Sequence, residues 1–295
     1  MHRRQFMQVA GAALGCQLAS PLCAATEKAP PRYRIGVCDW MILKRQKLGA
    51  FALAEEIGAD GLEVDMGSLG SRETFESKLN NPEAREQFLA ESKDRGVAIC
   101  SLAMSGFYAQ SFAERPTVPR MVGDCLNTME AMQVRVAFLP LGVQGDLVQK
   151  PELRPKIVER LKQLAPRAEK VKAVIGLETA LPAAEEAELI DEIDSPSVRS
   201  YFNFANALQA DRDLFKELET LGRKRICQIH CTDQDGVLLR DNERLDMPAV
   251  KQTLDEMDWS GWLVVERSRD ANDARNVRRN FSENVRYLKE VFQSD

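Results

Sequence analysis

Ile175-Gly176-Leu177-Glu178-Thr179 is a short apolar run that ends on an acid. The same form returns in Gly61-Leu62-Glu63-Val64-Asp65, in Tyr201-Phe202-Asn203 and in Leu263-Val264-Val265-Glu266. It also returns in Gln228-Ile229-His230-Cys231-Thr232-Asp233. Each reads as a buried strand, because apolar and β-branched residues favour a pleated core and the polar residue comes only at the end. Working outward, strands are expected at Ile35–Cys38, Gly61–Val64, Ala98–Leu102, Val134–Leu139, Val174–Glu178, Ser200–Asn203, Ile226–His230 and Leu263–Glu266.

Between these runs lie segments of helical periodicity: 49–57, 82–95, 118–132, 153–171, 211–221, 247–257 and 272–292. The acidic stretch 181–198 is expected to be only partly helical. Asn81 before Pro82 suits a helix cap, and Gly58, Gly96 and Gly222 stand where helices should stop. Leu254, Met257 and the pair Trp259 and Trp262 are expected to pack the seventh helix and the eighth strand against the sheet. Strands alternating with helices imply a parallel sheet, since parallel neighbours need a crossover. Eight such units at roughly 30-residue spacing favour closure into a single-domain (β/α)8 TIM barrel. The alternative, an open doubly wound sheet, would carry a glycine-rich turn after its first strand. Here that turn is Cys38-Asp39-Trp40-Met41, without glycine.

The barrel is expected over residues 33–295, after a signal peptide at 1–25 and a linker at 26–32. Arg3-Arg4 precedes an apolar stretch from Val9 to about Leu22 with no acid in it, ending in small residues up to Ala25. That pattern describes an export signal of the twin-arginine kind and a periplasmic destination. Lipid attachment at Cys16 is the alternative. The stretch is too short for a permanent membrane span. Removing 1–25 takes away two arginines and no acid, moving the net charge from −5 to about −7. A chain so charged offers no electrostatic footprint for nucleic acid. The remaining cysteines, Cys38, Cys100, Cys125, Cys227 and Cys231, match neither a zinc ribbon nor a disulfide framework, and no disulfide is expected.

In a closed barrel the strand ends converge on one mouth, where active groups sit. Glu178, Asn203, His230 and Glu266 would meet there. Carboxylates brought together need a cation or protons. One divalent metal (Mn, Mg, Co or Zn) with oxygen and imidazole ligands meets that need. A purely structural polar network is the other reading.

These ordered strand ends resemble the xylose-isomerase-like superfamily of sugar isomerases and epimerases, close to the ketose 3-epimerases. The similarity covers nearly the whole chain from Tyr33 to Phe292. The resemblance implies a metal held by Glu178, Asn203, His230 and Glu266, at spacings of 25, 27 and 36 residues. It extends through Trp259-Ser260-Gly261-Trp262 before Glu266. Two departures stand out: Asn203 where the family has Asp, and Thr232 where it often has Lys. An amide oxygen can coordinate a metal but adds no charge, so Glu178 and Glu266 alone would balance a divalent ion. A place for Asn203 just outside the ligands, with water in the ligand position, is the alternative.

By the same resemblance, Glu178 and Glu266 are the acid and base that move a proton α to the carbonyl of a non-phosphorylated keto-sugar. Glu63, Asn206 and Asp233 are expected to bond sugar hydroxyls or orient ligands. Trp40 and Phe107 are expected to stack on the sugar, with a place in the rim packing as the alternative. Arg269, with Arg267, is placed to meet an anionic group. A lyase or hydrolase acting on 3-keto-glycosides at the same metal, and an exported sugar-binding barrel without chemistry, are the competing readings. The endonuclease arm of the superfamily needs several histidines, and beyond His2 this chain has only His230. The oligomeric state stays open, a homo-oligomer included.

Overall fold

The structure is a computed structural model, and it describes residues 31–294. The expected signal peptide, Cys16 and the linker up to residue 30 lie outside the described residues.

Eight strands form a closed parallel barrel in chain order. They are β1 (Tyr33–Cys38), β2 (Gly61–Asp65), β3 (Ala98–Ala103), β4 (Val136–Pro140), β5 (Val174–Glu178), β6 (Val198–Asn203), β7 (Ile226–His230) and β8 (Gly261–Val265). Closure comes from β1 pairing with β8, Tyr33 opposite Gly261 through Val37 opposite Val265. The helices are α1 (Gly49–Glu56), α2 (Pro82–Arg95), α3 (Val118–Met132), α4 (Arg154–Lys170), α5 (Ala183–Ile193), α6 (Phe204–Gln209), α7 (Leu214–Arg225), α8 (Met247–Glu256) and α9 (Val277–Phe292). Among the described residues no helix is long and apolar enough to cross a membrane.

Local chemistry explains where these elements begin and end. Asn81 caps α2 by accepting the Glu83 N–H at 2.8 Å, and Gly96 closes that helix with φ 65°. Gly222 departs from expectation. Its φ of 67° with ψ 164° kinks α7, which resumes and runs on to Arg225. The acidic stretch after β5 is also more ordered than expected, since α5 fills 183–193. Its buried stripe is Ala183, Glu186, Leu189, Ile190 and Ile193, and the buried acid within that stripe hides the apolar period. On α9 the stripe Val277, Phe281, Val285, Leu288 and Phe292 is continuous. Burial of each large apolar side chain there contributes about 1.5–3 kcal/mol.

The main core lies between sheet and helices, with Ile35, Val37, Leu62, Val64, Ile175 and Leu177 all fully buried. Two smaller clusters stand apart from it: Cys38, Cys100, Trp262 and Val264, and then Ala103, Phe138 and Tyr201. Trp262 therefore packs with the first of these clusters rather than between α8 and the sheet, while Trp259 does hold to the sheet by donating to the Ile226 carbonyl at 3.1 Å. The ladder shifts register in two places, between Leu62 and Glu63 and between Ser200 and Tyr201. Such bulges re-aim side chains; the extra residues are Cys100 in β3 and Cys227 in β7, and just beyond them Ser101 and Gln228 meet across the lumen at 2.9 Å. The five cysteines at 38, 100, 125, 227 and 231 are free thiols.

Candidate active site

The ends of β5, β6 and β7 and the residue after β8 bring Glu178, Asn203, His230 and Glu266 together. His230 Nδ1 lies 3.1 Å from Glu178 Oε2 and 3.9 Å from Glu266 Oε2. Asn203 Nδ2 donates to Glu178 Oε2 at 2.8 Å and reaches Glu266 Oε2 at 3.4 Å. The imidazole is fully buried, whereas the two carboxylates and the amide keep a small exposed edge. The group thus forms the floor of an opening rather than part of a sealed core.

The other imidazole nitrogen faces inward. His230 Nε2 is 3.0 Å from Glu63 Oε1. Glu63 also accepts from Ser101 Oγ at 2.5 Å and from the Tyr201 hydroxyl at 2.7 Å. Gln228 Nε2 donates to Ser101 Oγ at 2.9 Å and to the Tyr201 hydroxyl at 2.8 Å. Cys38 Sγ, at 3.5 Å from Glu63 Oε1 and 3.7 Å from His230 Nε2, completes the neighbourhood. Cys38, Glu63 and His230 therefore also form a tight group of potential metal donors, their donor atoms all within 4.8 Å of one another. Glu63, however, already accepts hydrogen bonds on both oxygens, while on the Nδ1 side two acids face each other across a single amide.

Electrostatics reflects this crowding. Burial raises the Glu266 carboxyl above the usual range; Glu178 and Glu63 add to the rise, and His230 and Arg267 oppose it. Burial works against charge on His230, but hydrogen bonds to Glu178 and Glu63 and the surrounding acids outweigh it, pushing its pKa up to about 10. Without a metal a proton on the imidazole balances the acids, and a metal bound at Nδ1 would take the place of that proton.

The remaining expected residues take varied places. Trp40 is half-buried and stacks on Phe138 with centroids 6.3 Å apart, and Phe138 meets the His230 ring edge-on at 4.8 Å. Phe107 is fully buried against Phe75 and Phe112, so its ring is not offered to the mouth. The exposed ring at that turn is Tyr108, whose hydroxyl accepts from Arg267 at 3.4 Å. Arg267 Nε in turn lies 3.6 Å from Glu266 Oε2. Arg269 is spent on a two-pronged pair with Asp235, at 3.0 and 2.5 Å. Asp233 is buried and holds its own loop through Gln234 N and Asn242 Nδ2. Asn206 ties the start of the barrel's sixth crossover to the Thr179 carbonyl at 3.0 Å. Glu63 is fully buried beneath the histidine, away from any sugar hydroxyl at the mouth. Sequence reasoning missed Ser101, Tyr201 and Gln228. Tyr201 and Gln228 stand two residues before Asn203 and His230, so strand alternation puts each on the same face as a residue already chosen.

The chain belongs to the xylose isomerase-like TIM barrel family, whose model matches residues 51–291. Among curated proteins it is similar to 2-epi-5-epi-valiolone 7-phosphate 2-epimerase of an Actinoplanes species. That match is 23% identical over 185 residues, 61% of this chain and 65% of the relative. Among solved structures it is similar to apo 3-keto-D-glucoside 4-epimerase from E. coli, with TM-score 0.67 and 17% identity over 88% of this chain and 99% of the other. D-psicose 3-epimerase from Clostridium cellulolyticum, solved with D-tagatose, gives TM-score 0.69 and 13% identity over 88% and 99%. At such identities the structural likenesses establish the fold.

Proposed function

We propose that this protein is a metal-dependent isomerase or epimerase that moves a proton α to the carbonyl of a non-phosphorylated keto-sugar. The observation that carries this reading is the pair Glu178 and Glu266, two buried carboxylates meeting over one imidazole nitrogen at the barrel mouth. Membership of a family with epimerases among its relatives supports it.

The donor set fits a divalent ion. Two carboxylates balance its charge, and Glu63 engages Nε2 of His230, which directs Nδ1 toward Glu178 and Glu266. Glu178, Glu266 and His230 would hold the ion, which when bound supplies Lewis acidity toward a carbonyl oxygen. The protein's own contribution is positional and protonic. One glutamate takes the α-proton and the other returns a proton to the opposite face or the neighbouring carbon. Trp40 stands over Phe138 and Tyr108 against Arg267, so both offer aromatic faces to a sugar. A neutral sugar is favoured because Arg269 is paired to Asp235 and Arg267 leans on Glu266. Export through the paired arginines near the N-terminus is part of the same proposal, and detection of the cleaved chain in a periplasmic fraction tests it.

The deciding experiment is solvent exchange. The wild type in deuterated water should place deuterium α to the carbonyl of a keto-sugar, and Glu266→Gln should abolish this. Full retention of exchange in the variant overturns the assignment. Parallel assays on free keto-sugars and 3-keto-glycosides separate epimerisation from elimination of a leaving group. The uncharged Asn203 favours one further reading, a barrel that binds sugar without transforming it. Stabilisation by sugar that is indifferent to chelator, with no exchange, would select that reading.

A further inference from the structure

Asn203 ends β6 and caps α6, and the cap turns its only coordinating atom away from the two carboxylates. Its Oδ1 accepts the Ala205 N–H at 2.9 Å. Its Nδ2 points the other way, donating to Glu178 Oε2 at 2.8 Å and toward Glu266 Oε2 at 3.4 Å. The orientation is over-determined. A main-chain N–H needs an acceptor on one side, and two carboxylates need a donor on the other. Turning the amide over would set NH2 against N–H and oxygen against two acids, losing both sets of bonds at once. An amide NH2 has no lone pair for a metal.

We infer that the metal centre of this chain is three-liganded, by Glu178, His230 Nδ1 and Glu266, and that Asn203 is a positioning residue outside it. The inference rests on the metal-dependent reading above. Asn203 orients the two ligand carboxylates through its NH2 and fixes the sixth crossover through its oxygen. A carboxylate at this position would behave differently: one oxygen would cap α6 while the other coordinated. The asparagine therefore leaves a further coordination position for water or for substrate oxygens, and keeps the site's charge balanced.

The test is metal affinity, read on the purified full chain by titration with Mn(II) and confirmed by competition with a fluorescent chelator. Asn203→Ser keeps a capping oxygen but removes the amide that orients both carboxylates, and should weaken binding about 10–100-fold. Asn203→Asp supplies the missing ligand atom and a charge, and should tighten binding by about tenfold or more. A Mn(II)-bound crystal structure with Asn203 Oδ1 within bonding distance of the ion would overturn the inference, as would an Asn203→Ser protein that binds within about threefold of wild type. So would an Asn203→Asp protein that binds no more tightly than wild type. Failure of the metal reading looks different, since wild type then binds no Mn(II). Binding gained in Asn203→Asp alone would still support the missing ligand at position 203, and absence of binding in all three proteins removes both ideas.

Discussion

Replacing Glu186 by glutamine should stabilise the protein, and by an amount that depends on pH. Glu186 lies in the first turn of α5, 3% exposed, against the sheet. Thr179 Oγ1 donates to its Oε2 at 2.9 Å, while its Oε1 has no hydrogen-bond partner among the described residues. Burial pushes its pKa up from 4.5 to about 7, with Glu178 and Glu217 adding to the rise and Ser200 and Thr179 opposing it. An acid whose folded pKa is raised binds its proton more tightly in the fold than in the unfolded chain. Stability is therefore greatest below pH 4.5 and declines as pH rises through about 7. At roughly 1.4 kcal/mol per pH unit, the full cost above this window is about 3 kcal/mol. Glutamine keeps the shape and the Thr179 contact without the charge. Urea unfolding followed by circular dichroism should show the variant more stable by about 2–3 kcal/mol near pH 8.5, shrinking below about 0.5 kcal/mol near pH 4.5. A wild-type-to-variant gap that is the same at both pH values, or a variant less stable at the higher pH, would refute this account of burial.

Further expectations follow from the lumen and the rim. Glu63→Gln should weaken Mn(II) binding about 10–100-fold by loosening the imidazole it orients. Cys38→Ser should leave affinity unchanged, and a Co(II) form of the wild type should lack a sulfur-to-metal charge-transfer band; a thiolate band would move the metal to the Nε2 side. Gly142→Ala would drive a Cβ into the Tyr108 main-chain carbonyl. It should cost about 1–3 kcal/mol in unfolding free energy and raise KM more than it lowers kcat, because Tyr108 and Arg267 stand at the rim.

The barrel was legible because each strand announces itself twice, by an apolar run and by the polar residue that ends it. Six of the seven crossovers and the segment after β8 also carried a helical period, and 82–95 and 118–132 match α2 and α3 at both ends. The remaining crossover, the fifth, holds α5 and was obscured because a glutamate fills a core position of its stripe. Within the site, Glu178, Asn203, His230 and Glu266 could be picked out since strand ends converge by topology alone. What each side chain does there could not be read so simply. Ser101 and Gln228 enter the lumen behind an extra residue in β3 and in β7, and a register shift leaves no mark in one sequence. Phe107 and Tyr108 are neighbours, and which of the two rings faces outward depends on the turn after β3 rather than on residue type. Arg269 looked available because its partner Asp235 belongs to a different crossover.

The hydrogen bonds inside the lumen have a consequence for how such barrels can be recombined. Glu63 and Ser101 come from the first four strands, Tyr201 and Gln228 from the last four, and their bonds run only between those two sets apart from Ser101–Glu63 and Gln228–Tyr201 within each. A cut between β4 and β5 would leave each half one of these bonds and sever the other two, Tyr201 to Glu63 and Gln228 to Ser101. Joined to a half-barrel with a hydrocarbon lumen, either piece would bury stranded donors or acceptors at a cost of about 1–3 kcal/mol for each one. The two halves of this chain are thus matched to each other by polarity as well as by shape, and exchange between relatives should succeed only where the donor supplies the same four polar groups.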